Sequence, residues 1–134
     1  MSGDGFPRFD LNGRVALVTG AARGLGRAIS LALANAGADV ILGLRDGTTA
    51  EDLAEQIESM GRRALRVQMD VTDLRQIAAA IDEAVSRFER IDILINNAGL
   101  GPENRAEDVT EDDFDRTLAV NLKGTFFVSQ SGAR

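Results

Sequence analysis

The chain has 134 residues, 44% of them hydrophobic and 27% charged, with a formal net charge of −6; this is the make-up of one ordinary soluble globular unit, and its acidity argues against nucleic acid and anionic membrane surfaces as partners. It contains no cysteine and no histidine, which removes disulfides, thiol chemistry and the usual zinc ligands, so no metal site is expected. No apolar run approaches the ~20 residues of a membrane span, and nothing points away from the cytoplasm.

Residues 1–9 contain Gly and Pro and lack an apolar signal core, so they are expected to form a loose, flexible tail before a domain covering residues 10–134. The β-branched run at residues 15–19 reads as a buried strand and breaks into glycines at Gly20, Gly24 and Gly26. Leu25, Ala28, Ile29, Ala32, Leu33 and Ala36 then recur at helical spacing, and Gly37 stands where a C-terminal glycine cap belongs. A second strand at residues 40–44 completes a βαβ unit. Glycines at a strand-to-helix turn supply unusual backbone angles and leave room for a phosphate to approach, and the helix N-terminus offers N–H groups and partial positive charge. The pattern therefore points to a dinucleotide, against the plainer reading of a tight turn without a ligand.

The alternation continues. A helix is expected from Thr48 or Thr49, with Glu51 placed for a capping box, a stripe of Leu53, Ile57 and Met60, and Gly61 as its end. Residues 64–69 read as a third strand, and residues 70–73 as the turn into a helix carrying Leu74, Ile77, Ala78, Ile81, Val85 and Phe88. Residues 91–95 read as a fourth strand, followed by a polar loop over residues 99–108. Thr110 to Asp113 resembles a second capping box, opening a helix through Phe114, Leu118, Leu122 and Phe126.

Strands and helices in strict alternation imply an α/β fold, a Rossmann-like doubly wound parallel sheet truncated after the fourth βα unit, with the ligand at the carboxyl ends of the strands. Those ends carry Thr19-Gly20, Arg45-Asp46, Asp70-Val71 and Asn96-Asn97-Ala98-Gly99. The fourth strand would be left as an exposed apolar edge, so the 134 residues alone are expected to be poorly stable.

The pattern Thr19-Gly20-xxx-Gly24-x-Gly26, with Asp70-Val71, Asn96-Asn97-Ala98-Gly99 and Asn121, resembles the classical short-chain dehydrogenases/reductases over the whole chain after the tail. The resemblance implies an NAD(P)-binding domain in which Gly20, Ala22, Arg23, Gly24, Leu25 and Gly26 surround the adenosine ribose and pyrophosphate. Asp70 and Val71 would receive the adenine, and Asn97, Ala98 and Gly99 would pass the nicotinamide-side ribose. Asn121 would anchor a water in the proton relay to a catalytic lysine. Plainer readings stand beside these: Arg23 as a solvated turn residue, Asp70 as a turn or capping aspartate, residues 97–99 as a simple turn, and Asn121 as a core asparagine bending its helix. Asp73 can cap the third helix in place of Asp70. Helical spacing places Asn121 in an apolar stripe with Phe114 and Leu118, where an unpartnered amide would cost on the order of 1–3 kcal/mol.

Cofactor choice turns on the tip of the second strand. An acid there accepts from a ribose 2′-OH and repels a 2′-phosphate. The position that holds the acid in NAD-preferring relatives falls on Leu44, with Arg45 next, and a guanidinium makes forked contacts to phosphate. Arg23 and Arg45 therefore favour NADP(H), with NAD(H) second; Asp46 reads as the start of a loop before Gly47.

The family's Ser and Tyr-xxx-Lys would lie beyond Arg134, and the chain contains no tyrosine, so Asn121 is the one candidate catalytic residue and the 134 residues alone are expected to be inactive. The leading reading is the cofactor-binding half of an alcohol/carbonyl oxidoreductase that moves hydride between nicotinamide and a sugar acid, polyol, ketone or acyl thioester, with a weak lean to sugar acids. The competing reading is a non-catalytic dinucleotide-binding fragment. The resemblance also implies a homodimer or homotetramer, with the helix from Thr110 at an interface.

Overall fold

The structure, a computed structural model, describes residues 10–99 and 105–133. The expected tail at residues 1–9 and part of the expected loop at residues 99–108 lie outside the described residues. Four parallel strands form one sheet: β1 (Val15–Thr19), β2 (Asp39–Leu44), β3 (Ala64–Gln68) and β4 (Ile93–Ile95), in the order β3-β2-β1-β4. Helices α1 (Gly24–Asn35), α2 (Glu51–Ser59) and α3 (Leu74–Phe88) provide the crossovers. After β3 the chain passes back over the sheet to pair β4 with the other side of β1. The strand order thus reverses between β1 and β4, where doubly wound sheets open a crevice for ligands.

Alternating side chains on the strands feed two cores. Val15, Leu17, Ile41, Val67 and Met69 face α3, together with Val128 of the last helix. Val18, Val40, Leu42 and Leu44 face the other way, onto Ala34 of α1 and Leu53, Ala54 and Ile57 of α2.

Three local expectations are corrected. In α1 the buried face is Gly26, Ser30 and Ala34, while Leu25, Ala28 and Ala32 are exposed. Small residues at i, i+4 and i+8 let the helix lie close to the strands, and Ser30 Oγ donates to the Gly26 carbonyl at 2.8 Å. The Thr48–Glu51 capping box does not form, because α2 starts after Ala50, which adopts φ +60°. The threonines serve the preceding turn instead: Thr48 donates through N–H and Oγ1 to Asp46 Oδ1, and Thr49 Oγ1 donates to the Asp46 carbonyl. The fourth strand is shorter than expected, since Asp92 turns its carboxylate onto the Val15 N–H at 2.9 Å.

The last helix is not continuous. α4 (Glu111–Leu118) opens with the expected Thr110–Asp113 capping box, passes into one widened π turn at Ala119–Gly124, and resumes as α5 (Thr125–Gly132). Phe114, Leu118, Leu122 and Phe126, the apolar residues of the expected helix, are 58%, 42%, 65% and 58% exposed. The helix is held to the body through Val128 and Gly124, which are buried, and the π turn shifts the register of side chains between its two halves.

Candidate functional site

The crevice is built around the turn from β1 to α1. Gly20 and Gly24 adopt φ of +61° and +58°, a region that disfavours side chains. A Cβ at Gly26 would overlap the Gly20 carbonyl oxygen and come within 2.5 Å of Asn97 Nδ2, so this glycine sets the approach of helix to strand. A Cβ at Gly24 would meet nothing within 4 Å, which leaves its surroundings open. Arg23 is the N-cap of α1, offers no side-chain acceptor to the first turn, and no acid stands in that turn. By contrast, α3 is capped by Asp73, which accepts from the N–H groups of Arg75 and Gln76, and α4 is capped by Thr110. Uncapped amides, flexible glycines and the exposed cation Arg23 at one helix start fit an anionic pyrophosphate, whereas Arg27 is engaged by Asp52 of α2 at 2.7 Å. Leu25, 69% exposed, stands at the mouth of this turn, and Ala22 is half-buried behind it.

Thr19, 1% exposed, ties this turn to the loop after β4. Its Oγ1 accepts from the backbone N–H groups of Asn97 and Ala98, each at 3.0 Å, and lies 3.5 Å from the Ile95 carbonyl. Asn97 Nδ2 donates to the Gly20 carbonyl at 3.1 Å. Gly20, Gly26, Asn97 and Ala98, expected to line one ligand, are thus in direct contact. Asn96 reaches away from them, donating to Ser129 Oγ on α5 at 3.0 Å.

At the tip of β2, Leu44 is fully buried, so Arg45 is the first exposed side chain after the strand. Asp46 is turned into its own loop, and the hydrogen bonds from Thr48 hold its carboxyl below the usual 3.8. It therefore has the loop-starting role expected of it. At the end of β3, half-buried Asp70 accepts at Oδ1 from the Thr72 hydroxyl at 2.6 Å and N–H at 3.0 Å. These bonds, aided by the charge of nearby Arg45 and opposed by burial, hold its carboxyl below 3.8. Asp73 does cap α3, and Asp70 carries the turn through one oxygen.

The π turn meets both loops. Asn121 is exposed, contrary to the buried position expected for it; it lies within the π turn, and Phe114 and Leu118, with which its spacing grouped it, are exposed as well. Its Oδ1 lies 3.6 Å from where a Cβ on Gly99 would stand. One turn on, a Cβ on Gly124 would come within 2.8 Å of both Cγ2 and the carbonyl oxygen of Val71. Asp70-Val71 and Asn97-Ala98-Gly99 are therefore bridged by the same six residues. The expectations did not single out Gly124, or Arg66, which reaches from β3 to the loop after Arg45. The motif includes Thr19 without marking it as a junction. Among the described residues no cluster of three acids could hold a metal, and no helix is long and apolar enough to cross a membrane.

Comparison with known proteins settles the family. The model of the short chain dehydrogenase family matches residues 14–134. The chain belongs to the short-chain dehydrogenase family. It is 41% identical over 127 residues to versicolorin reductase 1 of Dothistroma septosporum, an alignment covering 94% of this chain and 48% of that protein. A short chain dehydrogenase of Passalora fulva is 38% identical over 125 residues, covering 92% and 47%. Among solved structures, a short chain dehydrogenase from Burkholderia cenocepacia J2315 in complex with NADP superposes with a TM-score of 0.87 at 41% identity, covering 92% of this chain and 51% of that one. A short-chain type dehydrogenase/reductase from Mycobacterium marinum superposes at 0.90 with 35% identity, covering 94% and 50%. The chain spans about half the length of the relatives it matches.

Proposed function

We propose that this chain is the cofactor-binding half of an NADP(H)-dependent oxidoreductase acting on an alcohol or carbonyl substrate. The observation that carries this is the uncapped start of α1 beside Arg23, with Arg45 as the first exposed side chain at the tip of β2. The first-turn amides and Arg23 bind the pyrophosphate, and Arg45 forks onto a ribose 2′-phosphate. Asp70 accepts from the adenine amine through the oxygen that Thr72 leaves available, with Val71 beside it. Asn97, Ala98 and Gly99 orient the nicotinamide-side ribose, while Asn121 anchors a water next to Gly99. A nicotinamide held there supplies the hydride donor or acceptor; the chain's residues supply position and charge. The NADP complex of the Burkholderia relative supports this preference.

Within these 134 residues, which contain no tyrosine, the function is cofactor binding, and the reading assigns the Ser and Tyr-xxx-Lys to the length of the relatives that the chain does not span. Relatives named versicolorin reductase and, in Zymoseptoria tritici, probable tetrahydroxynaphthalene reductase support reduction as the working direction. The intact protein is read as a cytoplasmic homodimer or homotetramer, and the exposed face of Phe114, Leu118, Leu122 and Phe126 is the surface available for association. The test is titration of the intact protein with NADPH and NADH, followed by fluorescence. Tighter binding of NADPH, lost in Arg45→Ala, is expected; tighter binding of NADH would sink the preference.

A further inference from the structure

Between Arg45 and the start of α2, residues 45–50 form a loop whose shape is not set by a helix cap: Ala50 sits at φ +60° and gives α2 no side-chain acceptor. Inside the loop, Asp46 gathers Thr48 and Thr49. The outside hold comes from β3. Arg66 Nη1 donates to the carbonyls of Thr48 at 3.3 Å and Thr49 at 3.2 Å, and two residues on, Gln68 Oε1 accepts from the Gly47 N–H at 3.4 Å. Arg66 and Gln68 lie on one face of the strand by its two-residue period. The loop rests directly on them, since a Cβ on Gly47 would stand 3.0 Å from the Cβ of Gln68.

We infer that Arg66 is a positioning residue for cofactor discrimination: by clamping the Thr48 and Thr49 carbonyls it holds the loop that follows Arg45 in the shape that reads the ribose 2′ position. Two adjacent carbonyls share one guanidinium nitrogen, a charge-assisted contact that joins Gln68 in holding this loop from outside. Turned toward Arg66, both carbonyls are engaged by a cation instead of being free to reorient within the loop that follows Arg45. The inference rests on the reading that the tip of β2 faces the 2′ position, and it extends that reading to a residue on a different strand with no part in the glycine turn.

The experiment uses the full-length protein with wild-type chain, Arg66→Ala, Arg66→Gln, Arg45→Ala and the double replacement of Arg45 and Arg66 by Ala, each assayed for kcat and KM with NADPH and with NADH. Arg66→Ala is expected to change the NADPH-to-NADH ratio of kcat/KM by about tenfold through KM, with kcat held within about twofold. Arg66→Gln, which retains an amide donor, is expected to fall between. In the Arg45→Ala background the Arg66 replacement is expected to add little, because it acts through the loop that carries Arg45. An unchanged ratio, or effects of Arg45 and Arg66 that simply add, overturns the inference. A wild type that prefers NADH defeats the NADP(H) reading alone: Arg66→Ala must still move the ratio, and its failure to do so would overturn the inference as well.

Discussion

Gly124 backs onto Val71 so closely that a methyl group on the glycine would stand 2.8 Å from the Val71 carbonyl oxygen. The contact joins the π turn to the loop that follows β3, and a fixed backbone atom cannot retreat as a flexible side chain could. Gly124→Ala is therefore expected to destabilise the protein by about 1–3 kcal/mol, as overpacking of a close contact does, and to weaken cofactor binding with it. Urea denaturation and a cofactor titration on the same preparation check both halves; a neutral effect on each would show that the π turn moves away without consequence.

Thr19 is the corresponding junction on the other side of the crevice. Thr19→Val keeps the shape but removes the acceptor for the Asn97 and Ala98 N–H groups. Leaving two part-buried amides unpaired is expected to cost about 1–3 kcal/mol, whereas Thr19→Ser should retain most of the wild-type stability. Thermal melts of the pair decide it, since a larger loss in the Ser variant than in the Val variant would assign the effect to the methyl group.

Asp70 titrates below its ordinary 3.8 because Thr72 donates to it twice. A lowered carboxyl contributes stability that is fully present above the unfolded value and is lost as pH falls through the folded one. The Asp70 contribution should thus be constant from pH 7 down to about 4 and disappear only below it. Thr72→Ala should raise the Asp70 midpoint toward 3.8. NMR titration of the Asp70 carboxyl in both proteins measures this directly, and an unmoved midpoint would mean that Thr72 is not its cause.

The face of α4, the π turn and α5 presents Leu122 at 65% and Phe126 at 58% exposure. If copies of the intact protein associate through it, replacing both residues by Lys should shift the assembly toward smaller species in analytical ultracentrifugation, with cofactor affinity per chain retained. An assembly of unchanged size would place the interface elsewhere.

The sheet, its order of elements and the glycine turn were legible because each rests on a local pattern: period-two runs for strands, and Gly20, Gly24 and Gly26 for the turn. The buried face of α1 is hidden in the sequence because aliphatic spacing marks a hydrophobic stripe, whereas close approach to a strand selects the smallest side chains, here Gly26, Ser30 and Ala34. Thr48 looked like a helix cap until Asp46, two residues earlier, took its donors. The π turn at Ala119–Gly124 departs from the period of 3.6 residues per turn and leaves no mark in the spacing of apolar residues. Arg66 and Gly124 matter through contacts with segments 17 or more residues away, which no local motif reports.

β4 pairs with β1 through only three residues, and its ends are pinned by Asp92 on Val15 and by Thr19 on Asn97, partners 77 and 78 residues apart in the chain. The joints of β1 with β2 and of β2 with β3 each close over a far shorter stretch. Longer closures cost more chain entropy and tend to form later. The three-stranded portion should therefore assemble first, with β4 docking last, and the crevice between β1 and β4 would come into existence only at that final step. A ligand that needs the finished crevice cannot hasten the events before it. Cofactor should accordingly slow unfolding while leaving the refolding rate nearly untouched, which stopped-flow measurements with and without NADPH would reveal as a shift in one kinetic arm alone.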